Sequence, residues 1–174
     1  FLVLGLTSAA LGIQRFRFED RYFGFRPRSN QPPSTEFTFA RWSYSTGSDG
    51  WSHDYPDAEE HINQLLKNAT MIGIERMSYR IVPMDSPEIF QYPFGYISEP
   101  GMTRLTEAEV KHFREYVDRG GFVMLDDFDG PRQFAIMKQN IDRAFPDREM
   151  FKMADGHPIL NTYYPIDSLY VESP

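Results

Sequence analysis

Between Phe37 and Ala144 the chain alternates short β-rich runs with stretches of helical period, and this alternation constrains the fold more than any other feature. Phe37–Tyr44 alternates as a strand. Tyr55-Pro56-Asp57-Ala58-Glu59-Glu60 opens a helix reaching about Ala69, with Pro at a first-turn position and Ile62, Leu65, Leu66 and Ala69 on one apolar face. A strand near Met77–Val82, a helical turn at Asp85–Phe90 and a strand at Tyr92–Ser98 follow. Thr106 with Glu109 three residues on forms a capping box for a helix through Arg119, whose apolar face is Val110, Phe113, Tyr116 and Val117. Gly120-Gly121 stops that helix, and Phe122-Val123-Met124-Leu125 has the continuous apolar character of a central parallel strand covered on both faces. A third helix is expected over Pro131–Ala144 and a last strand at Glu149–Met153. The pattern predicts an α/β domain of three layers with a mainly parallel sheet and no internal repeat.

The 174 residues suffice for one core, and with 41% hydrophobic and 16% aromatic residues the chain has enough apolar surface to fold. It divides into three segments: an apolar leader or anchor at 1–12, an extended arm at 13–34 and the α/β domain at 35–174. The leader, FLVLGLTSAALG, closes on small residues as a signal sequence does, and is too short alone to cross a bilayer, which needs ~20 residues. A buried first element of the domain is the alternative. The arm mixes Arg15, Arg17, Arg21, Arg26 and Arg28 with Phe and Tyr, and ends at Pro32-Pro33. It is locally positive in a protein of net charge -7, and suits anionic head groups or an acidic partner surface; a linker packed back on the domain is the other reading. That net charge, with no basic run interleaved with aromatics, argues against nucleic acid as a partner. The absence of cysteine excludes disulfides, zinc-thiolate sites and thiol nucleophiles.

A set of spaced residues carries a family resemblance across most of 35–165. It comprises Phe37-x-Phe39-Ala40-Arg41-x-x-Tyr44, Trp51-x-x-Asp54-Tyr55-Pro56-x-Ala58-Glu59 and Pro87-Glu88-Ile89-Phe90-x-Tyr92-Pro93-Phe94-x-Tyr96. It continues through Leu105-Thr106-x-x-Glu109, Gly120-Gly121-Phe122-x-x-x-Asp126-Asp127, Phe145-Pro146 and His157-Pro158-Ile159. With these residues the chain resembles the bacterial domain of unknown function 4159. The resemblance implies a glutamine-amidotransferase-like, flavodoxin-like fold and an extracytoplasmic compartment. Where relatives resemble a Gly-His-Gly turn after the Tyr96 strand, this chain reads Ser98-Glu99-Pro100-Gly101. The amidotransferase nucleophile is a cysteine on a strand-to-helix elbow; this chain has neither the cysteine nor a G-x-S-x-G substitute.

In open parallel sheets ligands bind beyond the carboxyl ends of the strands, where Arg41, Trp42, Tyr44, Asp126 and Asp127 are expected to converge. Arg41 with either acid could grip a carboxylate or sugar, the two acids with Asp129 could hold a hard cation, or Arg41 and an acid could form a buried structural pair. His53 and His61 share no zinc-ligand spacing, and Asp54 and Asp57 read as helix caps, so the sequence assigns no metal and no cofactor. His112 reads as a solvated helical residue and His157 as a turn residue. No catalytic residue is assigned.

Aromatic residues outside the expected core faces, in Phe16–Phe25, Trp42–Trp51 and Tyr163–Tyr170, suit a protein interface, a second apolar layer of the domain itself being the other reading. The expectation is a non-catalytic accessory subunit docked on the outer, periplasmic face of a membrane protein complex, an energy-transducing assembly such as a photosynthetic reaction centre being one natural host. Membrane or partner contact would run through Phe1, Leu2 and Leu4 of the leader. Arg15, Phe16, Arg17, Phe18, Tyr22 and Phe23 of the arm would extend it. The alternative is a small-molecule or carbohydrate binding module, or a hydrolase, using Arg41, Asp126 and Asp127.

Overall fold

A computed structural model describes residues 36–47, 49–74, 76–162, 165 and 166. The leader, the arm and most of the aromatic stretch Tyr163–Tyr170 lie outside the described residues. Four strands, β1 (Phe39–Ser43), β2 (Tyr79–Pro83), β3 (Phe94–Ser98) and β4 (Phe122–Asp126), form one all-parallel sheet in the order β2-β1-β3-β4. Its helices are α1 (Asp57–Ala69), α2 (Glu107–Asp118) and α3 (Gly130–Ala144). The order is that of the first four strands of flavodoxin-like sheets. The connection from β1 to β2 runs through α1, and the one from β3 to β4 through α2, as parallel pairing requires.

The period-2 alternation of β1 sorts its side chains between two layers. Ala40 and Trp42 enter the apolar core with Val82, Ile97, Val110, Phe113, Tyr116 and Ala144, which is the layer of α2 and α3. Phe39 and Arg41 face the other way: Phe39 packs on Tyr96, and Arg41 meets Glu59 of α1. Trp42 is held edge-on by Tyr116 at 4.6 Å and Phe113 at 6.2 Å. Gly95 makes room for it: a Cβ there would lie 2.5 Å from the Trp42 ring.

The capping box forms as its sequence predicts, and Glu109 does more than cap. Its Oε2 accepts from the Thr106 backbone N–H at 2.7 Å and hydroxyl at 2.9 Å, while Oε1 accepts from the N–H and hydroxyl of Ser45. A buried carboxylate thus ties the end of β1 to the start of α2.

Several expectations are corrected. β4 is not central: it has β3 as its one strand neighbour among the described residues, Phe122 is exposed and the other four residues are half-buried. An apolar run reports what a strand could bury, while its place in the sheet depends on the connections. Glu149–Met153 forms no strand, and Phe151 is exposed. Pro56 takes the N-cap position of α1 without a side-chain cap, so neither Asp54 nor Asp57 caps it. His112 is half-buried, its Nδ1 3.0 Å from the Met84 carbonyl and its ring edge-on to Phe90. Trp42 and Tyr44 are core residues, because alternation from the buried Ala40 carries both inward.

Among the described residues, those up to Glu149 belong to one compact unit and those from Met150 onward to another. In the latter, Pro158–Asn161 makes a 3-10 turn in which the N–H of Ile159 donates to His157 Nδ1 at 3.3 Å.

Candidate functional site

Because the chain leaves β1 toward β2 and leaves β3 toward β4, the connections diverge between the two central strands. Such a divergence opens a crevice at the carboxyl edge of a parallel sheet, and ligands of open α/β sheets bind there. Three segments rim this edge: the residues after β1, the residues after β3, and the residues after β4.

They bring together side chains far apart in sequence. His53 Nδ1 lies 3.3 Å from Asp127 Oδ2 and 3.4 Å from Asp54 Oδ2. One ligand-capable atom from each of the three sits within 4.8 Å of the others. Glu99 adjoins them, with its backbone carbonyl accepting from the Tyr44 hydroxyl at 3.2 Å and its Oε2 buried without a partner. Asp54, Glu99 and Asp127 all have left-handed backbone, with φ of 55°, 50° and 55°. That conformation is uncommon for residues with a Cβ, least so for Asp, and costs free energy that the surrounding contacts must offset.

The loop carrying His53 and Asp54 is fixed from beneath. Arg41 is wholly buried and bonds both carboxylate oxygens of Glu59, an equally buried residue of α1. Its NH1 also donates to the carbonyls of Trp51 at 2.8 Å and His53 at 2.9 Å, and its guanidinium lies over the Tyr96 ring at 4.8 Å. Tyr96 in turn donates its hydroxyl to Asp126 Oδ2 at 3.1 Å, and Asp126 Oδ1 accepts the Asp127 N–H at 3.0 Å. A chain of contacts therefore runs from α1 through Arg41 and Tyr96 to the backbone that presents Asp127.

The electrostatics follow from this crowding of acids. The hydrogen bond to Asp127 holds His53 above its ordinary 6.5; burial works against it, and the charges of Asp54, Asp127 and Glu99 reinforce it. Burial lifts Glu99 above 4.5, opposed by His53 and reinforced by Asp127, Asp129 and Asp54. Burial also pushes the Tyr44 hydroxyl up to about 12, so it remains a proton donor to the Glu99 carbonyl. The cluster can bind cationic or hydroxyl-bearing groups, coordinate a metal ion, or pass a proton through the His53–Asp127 contact.

Of the residues singled out from sequence, Asp127 lies in the cluster and Asp126 directly supports it. Arg41 is placed beneath the crevice and paired with Glu59 instead of Asp126 or Asp127. Tyr44 supports Glu99 from the core side, and Trp42 points away from the crevice. Sequence reasoning missed His53, Asp54 and Glu99 as partners of Asp127. The spacing of His53 and His61 drew attention to the wrong pairing, since the third ligand-capable group comes from a segment 74 residues away. A separate groove of about 740 Å³ beside α3 is lined in part by Met102, Arg104, Asn140 and Arg143. Asn140 and Arg143 bond the backbone of Thr103 and Leu105, Arg143 also bonds Glu107, and Asp142 pairs with Lys138, so these polar groups of the groove already have partners within the domain.

Residues 38–173 match the domain of unknown function DUF4159. The chain belongs to that family. The DUF4159 match includes all four strands and the whole His53–Asp54–Asp127 cluster. No curated protein matches the sequence.

Proposed function

We propose that this DUF4159 domain is a binding module whose crevice at the β1–β3 divergence takes a small polar ligand, cationic or rich in hydroxyl groups. The observation that carries this reading is the convergence of His53, Asp54 and Asp127 from two separate loops onto one point at that edge. The likeness to glutamine-amidotransferase-like folds is, on this reading, one of framework: the chain has no cysteine to form the acyl-enzyme. Calorimetry of the whole chain against sugars, polyamines and amino acids tests the reading. The expected result is saturable binding that His53→Ala and Asp127→Asn each weaken at least tenfold; ligands bound equally well by the variants would overturn it.

A second reading, docking to a membrane complex at its outer face, draws support from the opposite edge of the sheet. Phe122 stacks on Phe94, which packs on Phe37, and Phe37 donates its N–H to the carbonyl of Gly73 beside the exposed Met71 and Ile72. Apolar groups exposed together at one edge suit a partner surface. Co-purification with native membranes, compared between the parent and a chain with Phe122→Ser and Ile72→Ser, tests it; undiminished association of the double variant would count against this edge as the contact.

A further inference from the structure

The spacing of the three side chains at the crevice is that of ligands around one metal ion. When a metal–ligand bond is about 2.1 Å, adjacent ligand atoms lie about 3.0 Å apart in an octahedral site and about 3.4 Å apart in a tetrahedral one. His53 Nδ1 is 3.3 Å and 3.4 Å from the nearest oxygens of Asp127 and Asp54. The third separation, between the two carboxylates, falls within 4.8 Å. Glu99 supplies a further carboxylate beside them, with one oxygen buried and unpartnered.

An independent observation concerns Ser98. It is 0% exposed, and its Oγ has no hydrogen-bond partner, an uncommon state for a buried hydroxyl. Ser98 pairs with Asp126 across the sheet, and the alternation of β3 turns it to the face of Tyr96 and Arg41. Arg41 on that face also holds the carbonyl of His53, so Ser98 shares the face of the sheet over which the His53 loop is anchored.

We infer that His53, Asp54 and Asp127 bind a first-row divalent cation, with Glu99 completing the protein ligands. An imidazole nitrogen with carboxylates suits zinc or manganese; calcium and magnesium prefer all-oxygen shells. This inference rests on the binding-module reading, and sharpens it by naming the cation as the group through which a hydroxyl-bearing ligand, in place of a cationic one, would be held.

The experiment uses the whole chain, stripped with a chelator and titrated calorimetrically with Zn²⁺, Mn²⁺, Ca²⁺ and Mg²⁺. Zinc or manganese should bind at one site per chain, at least tenfold more tightly than calcium. Asp54→Asn and Asp127→Asn should each weaken that binding tenfold or more. Both variants keep a residue that tolerates left-handed backbone, and circular dichroism should show them folded. Binding by the parent that neither variant alters would place the ion elsewhere and overturn the inference. No saturable binding up to about 1 mM would also overturn it, a range covering sites far weaker than structural zinc. Repeating the polar-ligand panel with chelator present separates the two claims. A ligand bound equally well without metal would leave the binding module standing and overturn the cation's role in holding it; binding restored only by zinc or manganese would support both.

Discussion

Arg41 and Glu59 form an ion pair with no solvent exposure on either side chain, joining the central strand β1 to α1. Its further bonds to the carbonyls of Trp51 and His53 make the pair the support of the loop that presents His53 and Asp54.

Removing one member of this pair strands the other. Arg41→Met should destabilise the domain by about 3–5 kcal/mol, because the Glu59 carboxylate stays buried without its counter-charge. Arg41→Met combined with Glu59→Leu should recover most of that loss, since well-packed apolar replacements of a buried pair are often neutral. Ligand or cation affinity should stay low in the double variant, whose loop carbonyls remain unsupported. Urea denaturation read beside calorimetry checks both halves.

Asp127→Asn should leave the fold intact and move His53 down toward 6.5, because its strongest elevating contact is the hydrogen bond to Asp127. In the parent, the raised folded value means that this contact's stabilisation is fully present below about pH 6.5 and is lost as pH rises through the folded pKa. The stability difference between parent and variant should therefore be largest in mild acid and shrink above neutrality. NMR titration of the His53 ring and melts across about pH 5.5–8.5 would test this; an unmoved His53 would refute the contact.

The two ends of the capping box differ in reach. Thr106→Ala should cost about 1 kcal/mol, as loss of an N-cap does. Glu109→Ala should cost more, about 3 kcal/mol, since it leaves the backbone N–H groups of both Ser45 and Thr106 without their charged acceptor. Equal losses in denaturant midpoints would show that the link to Ser45 contributes nothing.

Gly95→Ala tests the packing beneath the sheet edge. The added methyl would meet Trp42 Cε2 at 2.5 Å and Cζ2 at 2.6 Å, and Trp42 is hemmed in by Tyr116 and Phe113. Overpacking of this kind should destabilise by about 1–3 kcal/mol and change the near-ultraviolet signal of the tryptophan. A variant as stable as the parent would show that the ring can shift.

The sequence by itself determined the layer architecture, because hydrophobic period and chain punctuation are local properties. Thr106 and Glu109 announce the start of α2 within four residues, and the alternation from Phe39 to Ser43 announces a strand. Asp127 was likewise legible as a polar residue following an apolar strand. Only the tertiary structure decided its partners. β1 and β3 are neighbours although 51 positions separate Ser43 from Phe94, and that pairing brings the loop after β1 near the loop after β4. Left-handed backbone at Asp54, Glu99 and Asp127 then turns their side chains toward one crevice, with no glycine to mark the turns. The Arg41 guanidinium had several carboxylates open to it in sequence; the crossover of α1 onto the face of β1 gave it Glu59. The place of β4 at one side of the sheet was decided the same way. An apolar run can occupy a central or a lateral position, and strand order comes from how the crossovers pack over the whole chain.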